Sequence, residues 1–87
     1  MADERILIVE DEATVADVVA RYLAREGYMV RRVADGAHAL PVARDFRPDL
    51  VILDIMLPHR SGMDICRELR AQGNTAIIML TARDEET

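Results

Sequence analysis

Arg5-Ile6-Leu7-Ile8-Val9-Glu10-Asp11 is an apolar run that stops on two carboxylates, and Leu50-Val51-Ile52-Leu53-Asp54 repeats the pattern with one. Four consecutive aliphatic residues without polar alternation read as a strand buried on both faces, the situation of a parallel sheet. Parallel sheets bind their ligands at the carboxyl ends of their strands. If these two strands are neighbours, Glu10, Asp11 and Asp54 meet at one point on the rim. Three carboxylates packed together repel one another and are costly to desolvate, so they call for a cation. An all-oxygen donor set at a phosphate-handling site suits Mg2+. A carboxylate beside such an ion can also act as a nucleophile toward a phosphoryl group.

Outward from these runs, strands alternate with helical patterns, which indicates a parallel α/β sheet. Strand one is expected over residues 5–10. Thr14 and Asp17 have the spacing of a capping box, and Val15, Val18, Val19, Tyr22 and Leu23 follow at helical spacing as the candidate buried face. Gly27 ends that helix, and strand two is expected over 28–33. Asp35-Gly36 turns into a second helix of about two turns. Pro41 falls inside it, where proline removes a hydrogen bond and crowds the preceding turn, so that helix should be kinked, irregular or short. Strand three ends at Asp54 or Ile55. After a loop through Met56, Ser61 and Asp64 open a third helix that ends near Gly73. Strand four is Ala76-Ile77-Ile78-Met79-Leu80, closing on Thr81.

Right-handed crossovers then place the helices. With strand two outside strand one and strands three and four on the opposite side, the order is 2-1-3-4. The first helix lies on one face and the next two on the other, a flavodoxin-like three-layer α/β/α arrangement. Its switch point falls between strands one and three, where the three acids lie.

The 87 residues suffice for one small domain. A net charge of -5 with no basic run argues against nucleic-acid binding. No apolar stretch approaches membrane-spanning length. The acidic start, Met1-Ala2-Asp3-Glu4, is unlike a signal peptide and leads to an expected cytoplasmic location. Cys66 is alone and reads as a small core residue. His38 reads as a surface helix position and His59 as an exposed loop residue. All 11 basic residues are arginines, so chemistry that needs a lysine cannot be completed by these residues. The four glycines form no phosphate-cradling loop.

Three motifs together, Ile8-Val9-Glu10-Asp11-Glu12, then Asp54-Ile55-Met56-Leu57-Pro58 with Ser61-Gly62, then Thr81-Ala82-Arg83, resemble the receiver domain of bacterial two-component response regulators. The loop and the last motif look most like the winged-helix, DNA-binding class, although no DNA-binding domain is present in these residues. The resemblance runs from about Arg5 to the last residue. It implies that Asp54 is the phosphoacceptor and that Asp11 is a direct Mg2+ ligand, with Glu10 acting mostly through water. It further implies that Met56 gives its backbone carbonyl to the metal, that Thr81 is the switch hydroxyl, and that Ala82 leaves room in the phosphoryl pocket. The implied phosphodonor is a sensor histidine kinase docking largely on the first helix, around Thr14, Val18 and Arg21.

The family has a fifth strand that ends in a lysine on the phosphoryl oxygen. Residues 1–87 therefore read as the N-terminal part of a receiver, lacking the fifth strand and the last helices. Two expectations follow: impaired phosphotransfer, and self-association, as a homodimer or larger, through an open strand-four edge. The reading is a signalling module rather than an enzyme. One rival, a Mg2+-dependent phosphatase of the haloacid-dehalogenase type, needs a second aspartate two residues after the nucleophile, where this chain has Met56. The other rival is an inert, self-associating fragment, which Mg2+ binding at the three acids would distinguish.

Overall fold

The computed structural model describes residues 4–57 and 60–80. Its elements are β1 (Arg5–Val9), α1 (Ala13–Arg25), β2 (Met29–Val33), α2 (Ala39–Phe46), β3 (Leu50–Asp54), α3 (Gly62–Gln72) and β4 (Ala76–Leu80). Among the described residues the sheet has four parallel strands in the order β2-β1-β3-β4, the order expected from the sequence.

Alternation along the central strand sorts the core into two layers. Leu7 and Val9 point to one face, where they pack with Ala39, Leu40 and Ala43 of α2, Val51 and Leu53 of β3, and Ile65 and Leu69 of α3. Ile6 and Ile8 point to the other face and meet Ala16 of α1, with Val19, Ala20 and Leu23 around it. Leu7, Ile8, Val9, Val51 and Leu53 are fully buried, which is why these two strands carry unbroken apolar runs.

The helix termini adjust three of the expectations. Thr14 does not cap α1: the helix starts at Ala13, with Glu12 at the cap position and no side-chain cap bond. The bond that tethers this end instead runs from the Glu12 backbone N–H to the Glu10 carboxylate, at 2.9 Å. Asp17 is drawn into ion pairs with Arg21 at 3.3 Å and Arg32 at 3.4 Å, not into a capping box. The buried face of α1 is Ala16, Val19, Ala20 and Leu23, whereas Val15, Val18 and Tyr22 are 40%, 61% and 63% exposed. Both sets repeat at helical spacing, and the one with two alanines faces the sheet because small residues let the helix axis approach β1. Gly27 ends α1 with φ 97, the left-handed region expected of it.

Pro41 is accommodated by a split. A short 3-10 turn, Gly36–His38, is capped by the Asp35 side chain, which accepts from the Ala37 N–H at 2.9 Å, and α2 begins afresh at Ala39. Proline thus falls in the first turn of α2, where its missing N–H has no intrahelical partner to lose. At the far end Arg47 takes φ 54, ending the helix ahead of Pro48. Ser61 caps α3 as expected, accepting from the Met63 N–H at 3.1 Å, while Asp64 pairs with Arg67 at 3.0 Å. His38 is exposed and Cys66 is half-buried against the core.

Candidate functional site

The site is built by strand register. Val9 lies level with Leu53, so the next residues along the two strands, Glu10 just past β1 and Asp54 at the end of β3, stand side by side. Asp11 follows directly on the turn into α1. Glu10, Asp11 and Asp54 each present a carboxylate oxygen, and the three oxygens lie within 4.8 Å of one another. Glu10 is 7% exposed and Asp54 5% exposed, whereas Asp11 is open to solvent. The three acids named from the sequence therefore do meet, at the carboxyl end of the two central strands.

Each buried acid is held by backbone. The Glu10 N–H donates to the Val33 carbonyl at 3.0 Å, and its side chain accepts from Glu12. Asp54 Oδ1 accepts from the Met56 N–H at 3.2 Å, so the chain after β3 bends back over the carboxylate. Burial pushes the Glu10 carboxyl above its ordinary value of 4.5. The Glu12 N–H pulls it part of the way back, and the neighbouring Asp54 and Asp11 carboxylates add to the rise.

Among the described residues no arginine forms an ion pair with any of the three. Buried carboxylates are ordinarily paired or coordinated. A cluster of three with two of them buried, all-oxygen donors and no ion pair to a basic side chain among the described residues fits a hard divalent cation of the Mg2+ type. Met56 is at the cluster through its backbone and 65% exposed through its side chain. Thr81, Ala82 and His59 lie outside the described residues.

One contributor was not apparent in the sequence. Gly62, at the first position of α3, donates its N–H to the Ile55 carbonyl at 2.8 Å. A Cβ built there would stand 2.2 Å from the Asp54 carbonyl oxygen. Only the position of Ser61-Gly62 shortly after Asp54 hinted at it; a glycine's need for space becomes visible once its neighbours are known.

Comparison with known proteins agrees with this geometry. Residues 6–87 match the response regulator receiver domain family. The DNA-binding response regulator MtrA of Mycobacterium tuberculosis is 45% identical over 82 residues, covering 94% of this chain and 36% of MtrA. Its counterpart in Mycolicibacterium smegmatis is 44% identical over the same length. The chain thus spans about a third of the length of these relatives. Among solved structures, the BeF3-activated N-terminal receiver domain of Klebsiella pneumoniae RstA superposes with a TM-score of 0.89 at 40% identity, covering 95% of this chain and 71% of that one. Thermotoga maritima TrrA, in complex with Mg2+ and BeF, gives 0.85 at 38% identity, covering 92% and 70%.

Proposed function

The chain belongs to the response regulator receiver domain family, and from that premise we propose that it takes a phosphoryl group on Asp54 with Mg2+ held by Glu10, Asp11, Asp54 and the Met56 carbonyl. The observation that carries the reading is the cluster itself: three carboxylates gathered where two separate strands end, two of them buried, with no basic ion-pair partner among the described residues. The ion, when bound, supplies the positive charge that lets an anionic nucleophile and an anionic phosphoryl group approach.

The rest is done by side chains and backbone. Asp54 offers an anionic oxygen at the end of a rigid strand, aimed by the Met56 N–H, and forms the new bond to phosphorus as the donor's bond breaks. Glu10, fixed by its bond from Glu12, and Asp11, open to solvent, flank the ion's place. Thr81 is the hydroxyl that turns toward the phosphoryl group after transfer, and Ala82 leaves the donor's path clear; both follow from the family's motif. Met56, standing where a phosphatase of the haloacid-dehalogenase type would carry its acid/base, supports a signalling role over turnover.

The donor is a sensor histidine kinase. Val15, Val18 and Tyr22 form an exposed apolar stripe on α1, which starts just beyond the acids, and this stripe is the surface for it. By likeness to MtrA, the output is transcription regulation by a DNA-binding segment outside these 87 residues, in the cytoplasm; the residues themselves do not bind nucleic acid. No described helix is long and apolar enough to cross a membrane. These residues alone contain no lysine, so their own transfer is slow: loss of one preorganised donor costs roughly 2.7–4 kcal/mol. They also self-associate through β4, an edge strand among the described residues on which Ile78 is 51% exposed.

The test is the intact mass of the chain after incubation with Mg2+ and a small-molecule phosphodonor. Gain of one phosphoryl group, lost in Asp54→Asn, is the expected result. A group added equally to the variant would remove Asp54 from the role. No addition to either, with Mg2+ still binding, would leave the chain a metal-binding but inert receiver fragment.

A further inference from the structure

We infer that Gly62 is a positioning residue for the acceptor carboxylate: having no side chain, it lets the first turn of α3 rest directly on the Asp54–Ile55 peptide. The inference relies on the metal-site reading proposed above and concerns what holds that site in shape.

A Cβ at Gly62 would lie 2.2 Å from the Asp54 carbonyl oxygen, 2.7 Å from the Ile55 Cα and 2.9 Å from the Asp54 carbonyl carbon. All three are backbone atoms, so no rotamer change relieves the overlap. The strand end cannot simply retreat: Asp54 is paired with Leu80 in the sheet, and the Ile55 N–H donates to the Leu80 carbonyl at 3.4 Å. The same approach carries the 2.8 Å bond from the Gly62 N–H to the Ile55 carbonyl. What Gly62 supplies is therefore space for contact.

A second glycine closes the seat from the other side. A Cβ at Gly36, in the turn before α2, would stand 3.1 Å from the Arg60 Cβ and 3.1 Å from the Ile65 Cδ1. Arg60 also pairs with Glu68 of α3. A side chain at either glycine would thus push on this end of α3, at Gly62 against the acceptor's own backbone and at Gly36 against Arg60 and Ile65.

Magnitude separates this role from ordinary packing. Bringing the 2.2 Å overlap out to normal contact needs a displacement of about 1 Å, whereas metal sites keep ligand distances to within about 0.2 Å. A side chain at 62 should therefore disturb the carboxylate cluster before it unfolds the domain. Loss of a group that orients metal ligands typically weakens binding roughly 10- to 100-fold.

The experiment is a Mg2+ titration by calorimetry on the full 87-residue chain and three variants, with melting curves alongside. Gly62→Ala is expected to bind Mg2+ roughly 10- to 100-fold more weakly. Ser61→Ala, which loses the cap to the Met63 N–H without touching Asp54, should melt earlier but bind Mg2+ like the wild type. Wild-type affinity in Gly62→Ala would overturn the proposal, and so would an equal loss in Ser61→Ala, because the effect would then be general loosening of α3. Should Gly62→Ala fail to fold, Gly36→Ala decides: weaker Mg2+ binding at unchanged circular dichroism supports the seat, and unchanged binding overturns it. If the wild type itself shows no Mg2+ binding, the metal-site reading falls and this inference falls with it; a wild type that binds alongside a Gly62→Ala that binds equally defeats the inference alone.

Discussion

Replacing Asp54 by asparagine should stabilise the metal-free protein and abolish most of its response to Mg2+. The three carboxylate oxygens lie within 4.8 Å of one another, so one pair of charges at that separation costs about 0.9 kcal/mol at the dielectric constant of water and about 3.5 kcal/mol at an effective value of 20. Asp54 belongs to two of the three pairs. Its burial moves the answer off the lower limit, while solvent at Asp11 and salt pull it down, leaving a net gain of about 1–3 kcal/mol. The substitution keeps the rest of the contact, because the asparagine oxygen can still accept from the Met56 N–H. For a domain of this size 1 kcal/mol corresponds to roughly 4–8 °C in Tm, so a thermal melt in chelator should show a rise of at least about 4 °C. In Mg2+ at about 100 times its Kd the wild type should gain about 2.7 kcal/mol, and the variant only a small fraction of that. A variant that melts at or below the wild type in chelator would refute the repulsion argument. One that keeps the full Mg2+ shift would refute the assignment of Asp54 as a ligand.

Three other outcomes can be checked on the same protein. Because Glu10 holds its proton more tightly in the folded state than its ordinary 4.5, the native state binds more protons than the unfolded one above that pH. Metal-free stability should therefore fall as pH rises from 4.5 through the raised value; urea melts across this range should show the decline in the wild type and not in Glu10→Gln. Leu7→Ala empties a fully buried position on the central strand and should cost about 2–5 kcal/mol, read from the shift in urea midpoint at unchanged slope. Ile78→Lys, at an exposed position on β4, should lower the average mass by light scattering at high concentration without lowering Tm, and an unchanged mass distribution would remove β4 as the association surface.

The sheet was legible because burial leaves a simple mark. Residues 6–9 and 50–53 have no polar alternation, the mark of strands covered on both faces; with β2 set outside β1, the right-handed crossovers then give the face on which each helix lies. The acids were legible for the same reason: Glu10 and Asp54 interrupt the apolar runs where the strands leave the core. Helix faces were harder. Val15, Val18 and Tyr22 outweigh Ala16, Val19, Ala20 and Leu23 in apolar bulk, yet the sheet accepts the second set because close approach, not bulk, decides which side of α1 turns inward. The α1 cap moved from Thr14 to Glu12 because Glu10 captures the Glu12 N–H, a tertiary bond that local capping preference cannot anticipate. Gly62 was the least legible of all, since its contact is with a backbone that only the assembled fold brings near.

The pairing of β1 with β3 has a consequence for how the molecule comes and goes. Ile6 lies level with Leu50, so the two central strands can meet only after a long intervening loop has closed, and sheets built from such distant pairings fold slowly. The acid cluster sits at the very end of that pairing. No local fragment of the chain contains it, and its mutual repulsion arises only when the last step of strand alignment is complete. A cation at this place should therefore leave the folding rate nearly unchanged and slow unfolding instead, acting as a latch on the lifetime of the native state.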